Sequence, residues 1–174
     1  MDKKSFVLGF ILAVILVSII SSAYFYTLDT DCYVQTVFSP DSEQEIISLI
    51  NNAQESIDIE MYVFTNENLI DALADARERG VDVRVILEGE IEDNTNAFYE
   101  LSLKGIQVKW APRDFSRTHS KFMIIDKGTD REKVFVGSTN FSFHAVTSNR
   151  EASVVINCNV QDFVLIFEQD WKNA

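Results

Sequence analysis

Strand-like and helix-like segments alternate along most of this chain, and that alternation limits its fold more than any other feature. Residues 33–38 read as a short strand ending at Ser39-Pro40. Ser42 and Glu45 form a capping box ahead of Ile46, Ile47, Leu49, Ile50 and Ala53, a stripe at helical spacing. Over 56–65, Ile57, Ile59, Met61 and Val63 share one face while Tyr62 and Phe64 take the other, which predicts a strand buried on both sides. A helix over 67–79 turns Leu69, Ile70 and Leu73 inward and stops at Gly80. Strands follow at 81–87, 106–110, 119–125, 133–136 and 152–157. Helices fall around 95–104, ending at Gly105, and over 161–172, with a turn at 127–132. This order calls for an α/β fold, a mixed β-sheet sandwiched by helices. No repeat or low-complexity linker interrupts it, so 33–174 reads as one domain. A chain with 47% hydrophobic residues is neither a disordered tail nor a disulfide-dense mini-protein.

An address precedes that domain. Residues 6–26 carry no charge, and this 21-residue run is close to the ~20 residues a helix needs to cross a bilayer. Lys3 and Lys4 lie before it, Tyr24, Phe25 and Tyr26 close it, and Asp29 and Asp31 follow. The pattern predicts an N-terminal transmembrane helix within 1–30, with the domain outside the cytoplasm. A cleaved signal peptide, cut after Ala23 and leaving a secreted domain, is the competing reading. Cys32 and Cys158 have no CxxC spacing, so no zinc site is suggested. A disulfide between them and two separate thiols both stay open.

Charge is unevenly spread. The net charge of −12 argues against a nucleic-acid binder with a basic face. Residues 41–100 hold 16 acids against Arg77, Arg79 and Arg84. From 104 to 121 the sign reverses: Lys104, Lys109, Arg113, Arg117 and Lys121 face only Asp114. A basic island in an acidic chain suits an anion site, or is an ordinary solvated loop.

The chemistry concentrates in 119–151. His119 and Lys121, two apart on a strand, share a face about 6–7 Å apart. An imidazole serves as nucleophile or proton carrier near neutral pH, and a lysine beside it offers a positive charge to a phosphate oxygen. Gly137, Ser138, Thr139 and Asn140 then follow a strand; glycine lets backbone approach closely, and the hydroxyl and amide donate hydrogen bonds. Glu151 opens the next strand and can hold a histidine Nδ1–H, fixing the tautomer. Together these make a phosphodiester site that needs no metal or cofactor, since no Asp/Glu/His set has metal-ligand spacing.

His119-Ser120-Lys121 with Asp126, followed by Gly137-Ser138-Thr139-Asn140 and Asn149-x-Glu151, resembles the HxKxxxxD…GSxN signature of the phospholipase D superfamily. Residues 38–40, 56–65 and 79–88 resemble that family too, so the likeness spans nearly all of 33–172. It implies the family's mixed α/β sandwich and a reaction through a phosphohistidine. By the same resemblance His119 is nucleophile or general acid, Lys121 and Asn140 bind phosphate with help from Ser138, and Glu151 orients the histidine. Asp126 matches the signature aspartate, but its strand parity is opposite to that of His119, which suits structural support more than chemistry. Ten residues separate Asp126 from Gly137, more than the usual pattern has, and a longer hairpin loop accounts for them. The family uses two such histidines. The only other one here, His144, lies in Phe143-His144-Ala145, outside an HxK context, and reads as a structural or surface residue. The resemblance therefore implies a homodimer sharing one active site. It leaves phospholipid and nucleic acid equally open as substrate, with a non-catalytic phosphate-binding or scaffold domain as the alternative.

Overall fold

The computed structural model describes residues 10–18 and 32–174. The chain divides into two units, residues 1–32 and Tyr33–Ala174. In the first, residues 10–18 are helical; the rest of the predicted 6–26 span lies outside the described residues. Among the described residues, no helix is long and apolar enough to cross a membrane. Cys32 and Cys158 are both disulfide-bonded.

The second unit is built on one seven-stranded sheet. Its strands are β1 (Val34–Phe38), β2 (Ser56–Met61), β3 (Asp82–Leu87), β4 (Gln107–Trp110), β5 (Lys121–Ile125), β6 (Lys133–Gly137) and β7 (Ala152–Ile156). They lie in the order β1-β7-β6-β5-β2-β3-β4. β2, β3 and β4 are parallel, and β5, β6, β7 and β1 continue antiparallel. The helices are α1 (Glu43–Asn52), α2 (Glu67–Glu78), α3 (Asn94–Leu103), α4 (Phe143–Thr147) and α5 (Val160–Asn173). Two apolar clusters form. One joins Ile57, Ile59, Val83 and Val85 to Ile46, Leu69 and Leu101 of α1–α3. The other joins Ile86, Phe122, Ile124 and Val134 to Val160 and Phe167 of α5. The mixed sheet sandwiched by helices is therefore present. Every residue of β2 is buried, as its two-sided apolar pattern requires.

Three local expectations are corrected. The capping box at α1 does not form: Ser42 Oγ pairs with Ser39 Oγ at 2.8 Å, and Glu45 takes the Gln35 amide instead. β2 ends at Met61 rather than 65, because its ladders with β3 and β5 end there. Beyond it, Tyr62 N–H donates to Ser120 O, Val63 N–H to Asn140 Oδ1, and Phe64 N–H to Asn94 Oδ1. β5 begins at Lys121, so His119 sits in the segment before the strand.

Candidate active site

Strand directions gather the chemistry at one edge of the sheet. β5 and β7 run antiparallel to their neighbours, so the start of β5, the ends of β2 and β6, and the start of β7 lie together. That edge carries Tyr62, His119, Lys121, Gly137–Asn140 and Glu151. Gly137 is required by space alone: a Cβ there would lie 2.3 Å from Ser153 Oγ and 2.4 Å from Ala152 O. The close approach lets Thr139 Oγ1 meet Ser153 Oγ at 2.7 Å, which fixes the turn that delivers Asn140.

His119 is exposed, while Lys121 is buried. The Lys121 ammonium donates to His119 O at 2.8 Å and lies 3.3 Å from His119 Nδ1. Tyr62 backs both residues, with its ring 4.4 Å from the imidazole and Lys121 Nζ 5.1 Å from its centroid. Burial pulls the Lys121 ammonium below the ordinary lysine range, and the Glu151 carboxylate opposes that shift. Such a cation gains more from a phosphate oxygen than a solvated one does. Asn140 uses its Oδ1 to accept from Val63 N–H at 3.3 Å, which leaves its amide protons for a ligand.

Two predicted roles change, and the structural support expected of Asp126 lies away from the site. The Glu151 carboxylate is held by Ser138 Oγ at 2.6 Å and Asn149 Nδ2 at 3.2 Å, and it is Lys121 that faces His119 Nδ1. Ser138 donates its proton to Glu151 and accepts from Ala152 N–H at 3.1 Å, so it positions the carboxylate rather than offering a donor to phosphate. Asp126 follows the far end of β5, about 17 Å along the strand from Lys121 at ~3.3 Å per residue. There it accepts N–H bonds from Gln54 (2.9 Å), Glu55 (2.7 Å) and Ser56 (3.3 Å). It closes the turn between α1 and β2 and is not part of the site.

The sequence reading missed Tyr62, whose parity marked it only as buried, and the walls of the cleft. His119, Ser120, Lys121, Phe122, Val136, Gly137, Asp162, Phe163 and Ile166 line a depression of about 420 Å³. α5 supplies Phe163 and Ile166 from about forty residues away in sequence, beyond the reach of any local pattern. His144 is exposed on α4 with its ring against Phe143. Among the described residues, no group of three His, Cys, Asp or Glu side chains could hold a metal ion.

Comparison with known proteins identifies the family and the fold. The family described as "Cardiolipin synthase, PLD-like domain" matches residues 46–171. Phospholipase D of Rickettsia conorii is 31% identical over 147 residues, covering 80% of this chain and 68% of that protein. Mitochondrial cardiolipin hydrolase of Mus musculus is 30% identical over 139 residues, 76% of this chain and 61% of that protein. Among solved structures, Nuc from Salmonella typhimurium, a phospholipase D family member, superposes with a TM-score of 0.74 at 28% identity. It covers 82% of this chain and 96% of its own.

Proposed function

The chain belongs to the phospholipase D superfamily of phosphodiester hydrolases, and from that premise we propose that it cleaves phospholipid head-group phosphodiesters at a site shared by two copies of itself. The cleft carries this reading. His119 and Lys121 give it one polar side, and Phe122, Val136, Phe163 and half-exposed Ile166 give it apolar walls. A diester with a glycerol and acyl body suits such walls. A polyanion needs cations along its track, and the cleft presents Asp162 instead.

In the reaction, His119 Nε2 attacks phosphorus, a P–N bond forms, and the P–O bond to the leaving group breaks. Lys121 and the Asn140 amide hold the phosphate oxygens. Attack by Nε2 requires the proton on Nδ1. A phosphate oxygen that captures the Lys121 ammonium frees Nδ1 to carry that proton. His119 of the second copy protonates the leaving oxygen, then takes a proton from water as that water cleaves the P–N bond; an alcohol in place of water gives transfer. All steps use side chains, and no metal is required. The 6–26 segment, as an anchor with the domain outside the cytoplasm, raises the local lipid concentration.

A nuclease reading has one observation of its own. Trp110, Arg113, Phe115 and Arg117 line a second groove of about 400 Å³ that leads toward Thr118. Glu88 and Glu90 share it, and Glu90 pairs with Arg117 at 3.2 Å, so its charges balance. The test is the full-length chain in phospholipid vesicles with EDTA, offered labelled single-stranded DNA as well, with His119→Ala as control. We expect head-group release that His119→Ala abolishes. DNA cleavage alone overturns the lipid reading, and loss in EDTA restored by a divalent ion overturns the histidine mechanism.

A further inference from the structure

Beneath the His119 segment lies a buried acid that the reaction does not use. Glu60 of β2 is 1% exposed. In the sheet it neighbours Phe122 of β5 and Ile86 of β3, on the face covered by α5. Thr118 Oγ1 donates to Glu60 Oε1. Thr118 N–H donates to Glu88 Oε2 at 2.6 Å, and Ser120 N–H donates to Thr118 Oγ1 at 3.3 Å. The residues on both sides of His119 are thus tied, through Thr118, to two buried carboxyls.

The second oxygen, Glu60 Oε2, is buried and meets no hydrogen-bond donor among the described residues. Another carboxyl, Asp170 of α5, itself 8% exposed, neighbours Glu60 and acts on it by charge. An ionised Glu60 would leave that oxygen bare against a like charge, a costly arrangement. A neutral Glu60 removes the conflict, because its Oε2–H has an acceptor in Asp170.

We propose that Glu60 is a positioning residue, a neutral acid that shares its proton with Asp170 and so clamps the Thr118–Ser120 segment and α5 around His119. The clamp rests on the phosphodiesterase reading only in what it positions. It makes the protein sensitive to pH. Burial first, then the neighbouring Asp170, pushes the Glu60 carboxyl up to about 7, against the opposing bond from Thr118; Asp170 is raised as well, by burial and by Asp114. The nearby cations among the described residues are engaged elsewhere. In the row of Glu60, Lys109 of β4 donates to Trp171 O at 2.7 Å; two residues back on β3, Arg84 is taken by Asp58 and Glu168; and Arg117, just before Thr118, pairs with Glu90 at 3.2 Å. Asp114, which acts on Asp170, and Glu88, which binds Thr118, are both acids. As pH rises through about 7, Glu60 ionises, the shared proton is lost, and the His119 segment and α5 loosen.

Glu60→Gln supplies a permanent N–H donor toward Asp170 and tests this on the full-length chain. Turnover of bis(p-nitrophenyl) phosphate and thermal unfolding are each followed from pH 6 to pH 9. We expect wild-type turnover to fall at least ten-fold across that range, with a parallel fall in Tm. Glu60→Gln should keep a flat Tm, and its rate relative to wild type should rise at least ten-fold from pH 6 to pH 9, since the histidine contribution is common to both. Should Glu60→Gln fail to fold, Asp170→Asn, whose amide donates to an ionised Glu60, makes the same prediction. A variant whose rate and Tm fall along the wild-type curve overturns the clamp, as does a wild-type Tm that is flat across the range. If wild type turns over no phosphodiester at all, the functional reading fails while the Tm curves still judge the clamp.

Discussion

Asp126 stands in the motif yet works at the opposite end of the strand from His119. Its carboxylate is buried with a positive φ of 51° and gathers three backbone N–H groups and Arg131 Nε at 3.4 Å. Burial alone would raise its pKa, but the donors from Glu55, Gln54 and Ser56 outweigh it and hold the group below the ordinary range. Asp126→Ala leaves those donors without an acceptor and should cost about 3 kcal/mol, at roughly 1–3 per buried unsatisfied group. Urea unfolding checks this, with turnover per folded molecule unchanged. Because the pKa is depressed, the carboxylate's contribution is present above the unfolded value near 4 and fades as pH falls through the folded one. Wild-type stability should therefore drop in acid more steeply than that of Asp126→Ala. At this scale the sequence offered His119, Lys121 and Asn140 as candidates, from residue type and the motif's resemblance, and the fold brings all three to one edge of the sheet. Partner choice was not legible there. Ser138 and Glu151 pair with each other because β6 and β7 bring them together across the sheet edge, a contact between residues thirteen apart.

At the scale of elements, periodicity located the strands and the longer helices, and tertiary partners decided their ends. β2 stops where its neighbours stop, and Ser42 prefers a neighbouring hydroxyl to a cap. The alternation gave no sign that α5 would be held by charge. Arg84 of β3 makes a bidentate bond to buried Asp58, at 2.7 and 2.8 Å, and reaches Glu168 of α5 at 2.6 Å. Lys127 joins the same two acids at 2.7 and 3.0 Å. The Arg84 guanidinium, then the Lys127 ammonium, hold Glu168 down to about 2 against the effect of burial. Arg84 also packs on Phe167, 4.9 Å from the ring centroid. Removing Arg84 leaves Glu168 and buried Asp58 to share Lys127 alone, so Arg84→Ala should cost about 3 kcal/mol, the low end for breaking a buried pair. Because α5 walls the cleft, activity should become heat-labile before the sheet itself unfolds. A thermal melt by far-UV circular dichroism, run beside a rate-versus-temperature curve, checks both.

At the scale of the whole molecule, one copy presents one histidine in the motif, whereas the proposed reaction asks for two proton-transferring groups across phosphorus. His144 does not fill the gap: it is exposed on a five-residue helix whose carbonyl accepts from Ser148 and Asn149. In the proposed reaction the missing group comes from a second copy, and the apolar Leu165 and Ile166, 59% and 51% exposed, are surface that a partner or a lipid would cover. Wild type co-expressed with an equal amount of His119→Ala decides the matter. In a randomly assorted two-fold dimer, roughly one quarter of the pairs hold both histidines, so activity per wild-type chain should fall to about half. A self-sufficient copy would keep its full activity however much of the variant is present. Sedimentation of the same mixture must show a dimer. With His144→Ala in place of His119→Ala, the loss per wild-type chain should vanish, because that ring has no part in the shared site.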